Sequence, residues 1–216
     1  MMKFNKSDII DEYNQSCSSN DEEYKKAKWG SDDSMKNRFL LFEKLIDSSE
    51  INNLLDVGCG TGSFIRQIKN KFPQVEMFGV DISDNMISFC KTADPSGNYS
   101  CCDFIELKYK DYFDVITMFG LLQKTNHTLE EIFSYLSKLA NYSGKILFTS
   151  KNLSWKNFTS NKMVPEKDHN WFYPSQVEEI LNNNKFKIIS SGGFIPDKNK
   201  IVKFEDSHTF YYLVQK

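Results

Sequence analysis

No apolar stretch of the 216-residue chain approaches the roughly 18 residues that a membrane span requires. The opening residues, MMKFNKSDIIDEYNQ, lack the apolar centre of a secretion signal. The expected setting is therefore cytoplasmic, with no membrane partner. An excess of one charge is also missing. Lys and Arg total 27 against 29 Asp and Glu, a formal net charge of −2. That balance speaks against a surface built to neutralise nucleic-acid phosphates. The five cysteines (Cys17, Cys59, Cys90, Cys101 and Cys102) are odd in number and show no CxxC spacing. A disulfide framework and a cysteine zinc site are both disfavoured, and a reducing compartment fits. No spaced cluster of acids and histidines points to a metal. Arginine is scarce, at two residues beside 25 lysines.

The length suits one domain with an appended cap. Residues 1–34 are polar, with isolated aromatics at Tyr13, Tyr24 and Trp29, and read as the cap. From residue 35 to 216 the chain reads as one α/β unit. Met35, Phe39, Phe42 and Ile46 recur at helical spacing. Strands are expected at 54–57, 76–80, 99–103, 113–119, 145–149, 186–190 and 209–214. Helices are expected at 63–72, 85–91, 129–141 and 175–183, with Asp84 capping the second. Alternation of this kind predicts a mostly parallel sheet with helices on both faces. Only a loop, 192–207, separates the last two strands, so the final strand should run antiparallel. The segment 150–174 has no clear period and reads as a lid.

The chemistry concentrates in LLDVGCGTGSF, residues 54–64. A buried strand runs into Gly58, Gly60 and Gly62, and a helix follows. Such glycines permit a tight turn and close ligand approach, and the helix start adds free N–H donors. Asp81 ends the second strand, where a carboxylate can accept both hydroxyls of a ribose. Asp103, after Cys101 and Cys102, can accept from an adenine amine. Asp56, two residues before the first glycine, suits a cationic amine or sulfonium and would repel a phosphate. A P-loop is excluded because no GK[ST] follows the glycines. The spacing is GxGxG and not GxGxxG, which also disfavours a nicotinamide-dependent reductase.

LLDVGCGTG, VDIS and FDVITMFGLL together resemble the class I S-adenosylmethionine-dependent methyltransferases. The resemblance implies a Rossmann-like, seven-stranded, mostly parallel sheet with the last strand antiparallel and an N-terminal helical cap. It implies S-adenosyl-L-methionine as cofactor and S-adenosyl-L-homocysteine as product. Carried onto this sequence, Gly58, Gly60 and Gly62 lie beneath the methionine part, and Asp56 orders its amino group. Asp81 takes the ribose hydroxyls, and Ile82 and Met86 pack on the adenine. Asp103 meets the adenine amine with Cys102 and Phe104 beside it. Backbone near Met118 and Phe119 contacts the methionine amine. Arg38 in the first helix offers a planar fork to the cofactor carboxylate.

The expected reaction is methylation of oxygen or nitrogen on a small organic acceptor by a monomer or homodimer. A carrier- or protein-bound acceptor and a non-catalytic cofactor-binding subunit are the alternatives. If a base is needed, His169 in the lid is the first candidate and His127 the second. His208, at the start of the last strand, reads as structural.

Overall fold

β1 (Asn53–Val57) starts the sheet because four of its five residues are buried, which only a strand covered on both faces sustains. The computed structural model describes every residue except Met1, Asn20, Ser48 and Glu50. Among the described residues, eight strands are arranged in the order β3-β2-β1-β4-β5-β8-β6-β7. β2 (Glu76–Asp81), β3 (Asn98–Cys101), β4 (Phe113–Phe119) and β5 (Ala140–Lys151) join β1 in parallel. β8 (Thr209–Gln215) lies between β5 and β6 (Lys187–Ile195) and is antiparallel to both. The antiparallel last strand is thus observed.

The strand count differs from the seven expected. The segment read as the loop 192–207 contains the end of β6 and a short edge strand, β7 (Lys200–Val202), that folds back on it. Asn199 adopts the left-handed conformation at the turn, at φ 46°. Three residues, none of them fully buried, leave no alternation for a sequence reading to find.

The cap is helical. α1 (Lys6–Cys17) and the single turn α2 (Glu23–Lys26) lead into α3 (Asp32–Leu45). The expected stripe on α3 is buried at Met35, Phe39, Phe42 and Ile46. α4 (Ser63–Lys69) and α5 (Asp84–Ala93) cover the same sheet face as α3. Ser83 caps α5, and not Asp84, because its side chain accepts from Met86 N. α6 (Leu129–Leu139) and α8 (Pro174–Asn183) cover the opposite face, and α7 (Lys156–Thr159) is one turn within the 150–174 segment. β8 shows the two-sided burial directly. Phe210, Tyr212 and Val214 join the α6 side, and Tyr211 and Leu213 join the α3 side.

The cap helix is held to the sheet by aromatic packing. Phe64 on α4 meets Phe39 and Phe42 of α3 at ring separations of 5.3 Å, and Phe119 of β4 at 5.2 Å. Phe64→Ala removes the shared centre of this cluster, at a cost of about 3–5 kcal/mol. Denaturant unfolding should show that loss, and a change below about 1 kcal/mol would mean that the cluster does not fix α3.

Candidate functional site

The carboxyl ends of β1, β2 and β4 open into a cavity of about 890 Å³, roofed by α1, the cap residues 27–31 and the 150–174 segment. This is the ligand position of open α/β sheets. After Val57 the chain turns through Gly58 at φ 72°, Gly60 at φ 52° and Gly62 at φ 73°. The turn is pinned to the next strand. Gly58 N and Cys59 N donate to Val80 O at 2.8 and 3.1 Å, and Gly60 N donates to Asp81 Oδ2 at 2.9 Å. A Cβ on Gly58 would lie 2.7 Å from Leu121 Cδ1.

Asp81 also accepts from Ser83 N through Oδ1 at 2.9 Å. A carboxylate has about four acceptor sites, so capacity for further donors remains. Burial raises its pKa, opposed by these backbone donors. Asp56 is buried and accepts from Thr117 Oγ1 at 2.8 Å. It has no cationic partner among the described residues, and burial raises its pKa to about 7. The site is chemically suited to a cationic amine.

Arg38 presents the complementary defect. It is buried, and Nη1 donates to Ser34 O and Ser34 Oγ, each at 2.6 Å. The guanidinium lies 4.5 Å from the Trp29 ring, a cation–π contact. Its Nε has no partner, and no carboxylate among the described residues pairs with the group. Burial lowers its pKa to about 10, partly opposed by Asp197. An anion reaching this wall would restore what burial removes.

Asp103 stands differently from Asp81. It is buried, and both its oxygens lie near His127 Nε2, at 3.0 and 2.8 Å. Lys6 of α1 adds an ion pair at 3.3 Å. Burial pushes the Asp103 pKa up, but His127 and Lys6 outweigh it and hold the group below its ordinary value. Phe104 packs edge-on against His127 at 5.5 Å. His127 therefore belongs to the β3 end of the cavity, against Asp103.

His169 lies in the lid, with Nδ1 2.9 Å from Asp168 Oδ1 and 3.3 Å from Glu166 Oε2. Burial, then Lys151, lowers its pKa against those acids. These three side chains bring potential ligand atoms within 4.8 Å of one another, and Glu166 is already paired with Lys151. The lid is anchored. Asn170 N donates to Gln123 O at 2.7 Å, and Trp155, Phe158 and Trp171 pack at 5.1 and 4.9 Å.

The cavity thus gathers Arg38, Asp56, Gly58, Gly60, Asp81, Ile82, Cys102, Asp103, Phe104, Phe119, His127 and His169. Gly62, Met86 and Met118 do not line it. Gly62 faces α5, where a Cβ would lie 2.9 Å from Cys90 Sγ, and Met86 and Met118 are fully buried. Met118 alternates with Phe119 and so joins the α6 side of the sheet. The cavity wall also includes Ser34, Lys151, Asp197 and His208, which carry no motif in the sequence.

Residues 55–146 match a family model described as a methyltransferase domain. Malonyl-(acyl-carrier protein) O-methyltransferase 2 of Ilyobacter polytropus is 29% identical over 155 residues, covering 67% of this chain and 58% of that protein. The chain thus spans less than two thirds of that relative's length. A SAM-dependent methyltransferase from Archaeoglobus fulgidus superposes with a TM-score of 0.67 at 20% identity, covering 89% of this chain and 97% of that one. Magnesium protoporphyrin IX methyltransferase from Synechocystis, solved with bound SAH, gives 0.69 at 15% identity, covering 98% and 100%.

A testable consequence follows from Asp56. Its pKa in the fold exceeds that of the unfolded chain, near 3.9. The stabilisation is complete below pH 4 and is lost as pH rises towards 7, on the order of 1–4 kcal/mol. Melting temperature measured from pH 5 to 8 should fall, and Asp56→Asn should flatten that fall. An identical slope in the variant would mean that Asp56 is not the titrating group.

Proposed function

We propose, for a chain whose fold and central domain are those of the class I methyltransferases, methyl transfer from S-adenosylmethionine to a carboxylate oxygen of an acyl group borne as a thioester on a carrier protein. The observation that carries the donor assignment is the pair of mismatched buried charges beside the glycine turn, Asp56 without a cation and Arg38 without a paired carboxylate. An amino-acid headgroup, with one amine and one carboxylate, answers both. Asp81 retains acceptor capacity for the ribose hydroxyls. The fit is weaker at Asp103, where the adenine amine has to share the carboxylate with His127.

The donor supplies a methyl group on a positively charged sulfur, already activated for in-line displacement. The protein's work is then alignment and exclusion of water. Arg38, Asp56 and Asp81 hold the donor at three points. Ile82, Cys102 and Phe104 enclose the adenine, and Phe119 closes the floor. In this reading residues 1–34 are the cap, 35–216 the methyltransferase domain and 150–174 the acceptor-side lid.

The acceptor reading departs from a free small molecule. It is supported by the relative from Ilyobacter polytropus, named for malonyl groups on an acyl-carrier protein. A malonyl thioester keeps one free carboxylate, which needs no base before attack. That removes the need for His169 or His127 as a proton acceptor.

Incubation with S-adenosylmethionine and malonyl-loaded carrier protein should give the methyl ester, read by intact mass. Asp81→Ala should abolish most of this turnover while weakening S-adenosylhomocysteine binding by about 2–4 kcal/mol, the loss of two charge-assisted bonds. Methylation of small hydroxyl acceptors, with none of the malonyl carrier, would overturn the acceptor assignment. Undiminished affinity in Asp81→Ala would remove the ribose role.

A further inference from the structure

Three histidines border the cavity, and their ring nitrogens are not equivalent. His127 Nε2 lies 2.8 Å from Asp103 Oδ2, and His169 Nδ1 lies 2.9 Å from Asp168 Oδ1. The imidazole of His208 makes no hydrogen bond to any described residue. Its ring contact is with Trp155, at 5.5 Å between centroids. A half-buried imidazole left without a partner is costly unless water or a ligand meets it.

Topology explains how His208 reaches the site. β8 runs antiparallel, so its first residues stand at the carboxyl end of β5. Thr209 pairs with Lys151, and Asn152 N donates to His208 O at 2.9 Å. Ser207, on the other side, is fixed by Oγ donating to Phe194 O at 2.6 Å. The backbone around His208 is thus clamped from β5 and β6, and the ring faces the cavity with little freedom of position.

Four charged groups act on that ring. Arg38 comes from α3, Lys151 from β5, Asp197 from the turn after β6, and Glu166 from the lid. Burial first, then the two cations, holds the His208 pKa below its ordinary value. At neutral pH the ring is uncharged, with one N–H to donate and one nitrogen able to accept.

We propose that His208 holds the acceptor, its N–H donated to the carboxylate oxygen that is not methylated, so that the other oxygen faces the methyl group. This assignment rests on the carboxylate acceptor proposed above. The free oxygen's lone pair forms the new O–C bond, the S–C bond breaks, and its electron pair stays on sulfur. Sulfur loses its positive charge, the carboxylate loses its negative one, and no proton moves. His208 keeps its proton throughout and fixes which oxygen reacts.

Two readouts on the full chain test this. The first needs no acceptor. Imidazole ¹⁵N spectra of the three histidines are recorded with and without S-adenosylhomocysteine. His208 should keep the shifts of its neutral ring, with its titration moving only upward as the cofactor carboxylate offsets Arg38, and a large displacement of the neutral ring's shifts would make it a cofactor ligand and overturn the proposal. The second is kinetic. His208→Ala should lower kcat/KM on malonyl-loaded carrier roughly ten- to a hundred-fold, with S-adenosylhomocysteine affinity unchanged. His208→Gln, which keeps an N–H, should recover most of that loss. The wild-type profile should show no acid limb from a histidine. If a small hydroxyl substrate is methylated instead, the carboxylate reading fails separately. Unchanged kcat/KM for His208→Ala on the acceptor that is turned over overturns the assignment.

Discussion

The hydrogen bond from Gly60 N to Asp81 Oδ2 joins the two strand ends on which the cavity is built. Without it the glycine turn would be anchored to β2 only through the Val80 carbonyl. With it, the turn after β1 and the carboxylate after β2 become one rigid unit. The helix that follows is aimed by that unit, and Phe64 on its first turn carries the aromatic cluster that seats α3. Arg38 is placed by α3. This contact, with the bonds to Val80 O and the Phe64 cluster, relates the positions of Asp81, the turn and Arg38, which lie far apart in sequence.

Electrostatics carry the selectivity proposed for this scaffold. Burial disfavours charge on Asp56 and on Arg38; Asp56 has no cation beside it, and Arg38 has only the unpaired field of Asp197. Elsewhere the same fold pairs its buried charges, as Asp103 does with His127 and Lys6. The contrast is informative because an uncompensated buried charge is expensive. A ligand that brings both signs recovers that cost on binding, whereas a dinucleotide would set its phosphates against Asp56. Preorganised charge of this kind favours alignment in the complex over stability of the free chain.

Much of the fold was legible because strands buried on both faces read as mostly apolar runs, LLDV broken only by Asp56 and VITMF only by Thr117. The glycine turn was legible because three positive-φ positions at spacing two leave few alternatives to glycine. Arg38 stood out as a rare residue on an otherwise apolar stripe. What could not be read depended on distant partners. The Asp103–His127 contact joins residues 24 apart with no local pattern. Met86 was assigned to the adenine by motif, but its side chain is fully buried and does not line the cavity. β7 was too short and too exposed to show a period. His208, read as structural, borders the cavity because an antiparallel last strand must start at the carboxyl end of β5. Combining that direction with the ligand position of open sheets was the available signal.

The central claim is that the glycine turn, Asp81, Asp56 and Arg38 form a pocket for S-adenosylmethionine and its product. Thermal unfolding with S-adenosylhomocysteine, run beside NAD, tests it most directly. At about 100 times its dissociation constant a ligand adds roughly 2.7 kcal/mol, or about 5–10 °C for a chain of this size. The account predicts that shift with S-adenosylhomocysteine and none with NAD. A shift with NAD alone, or with neither, would contradict the assignment of the pocket.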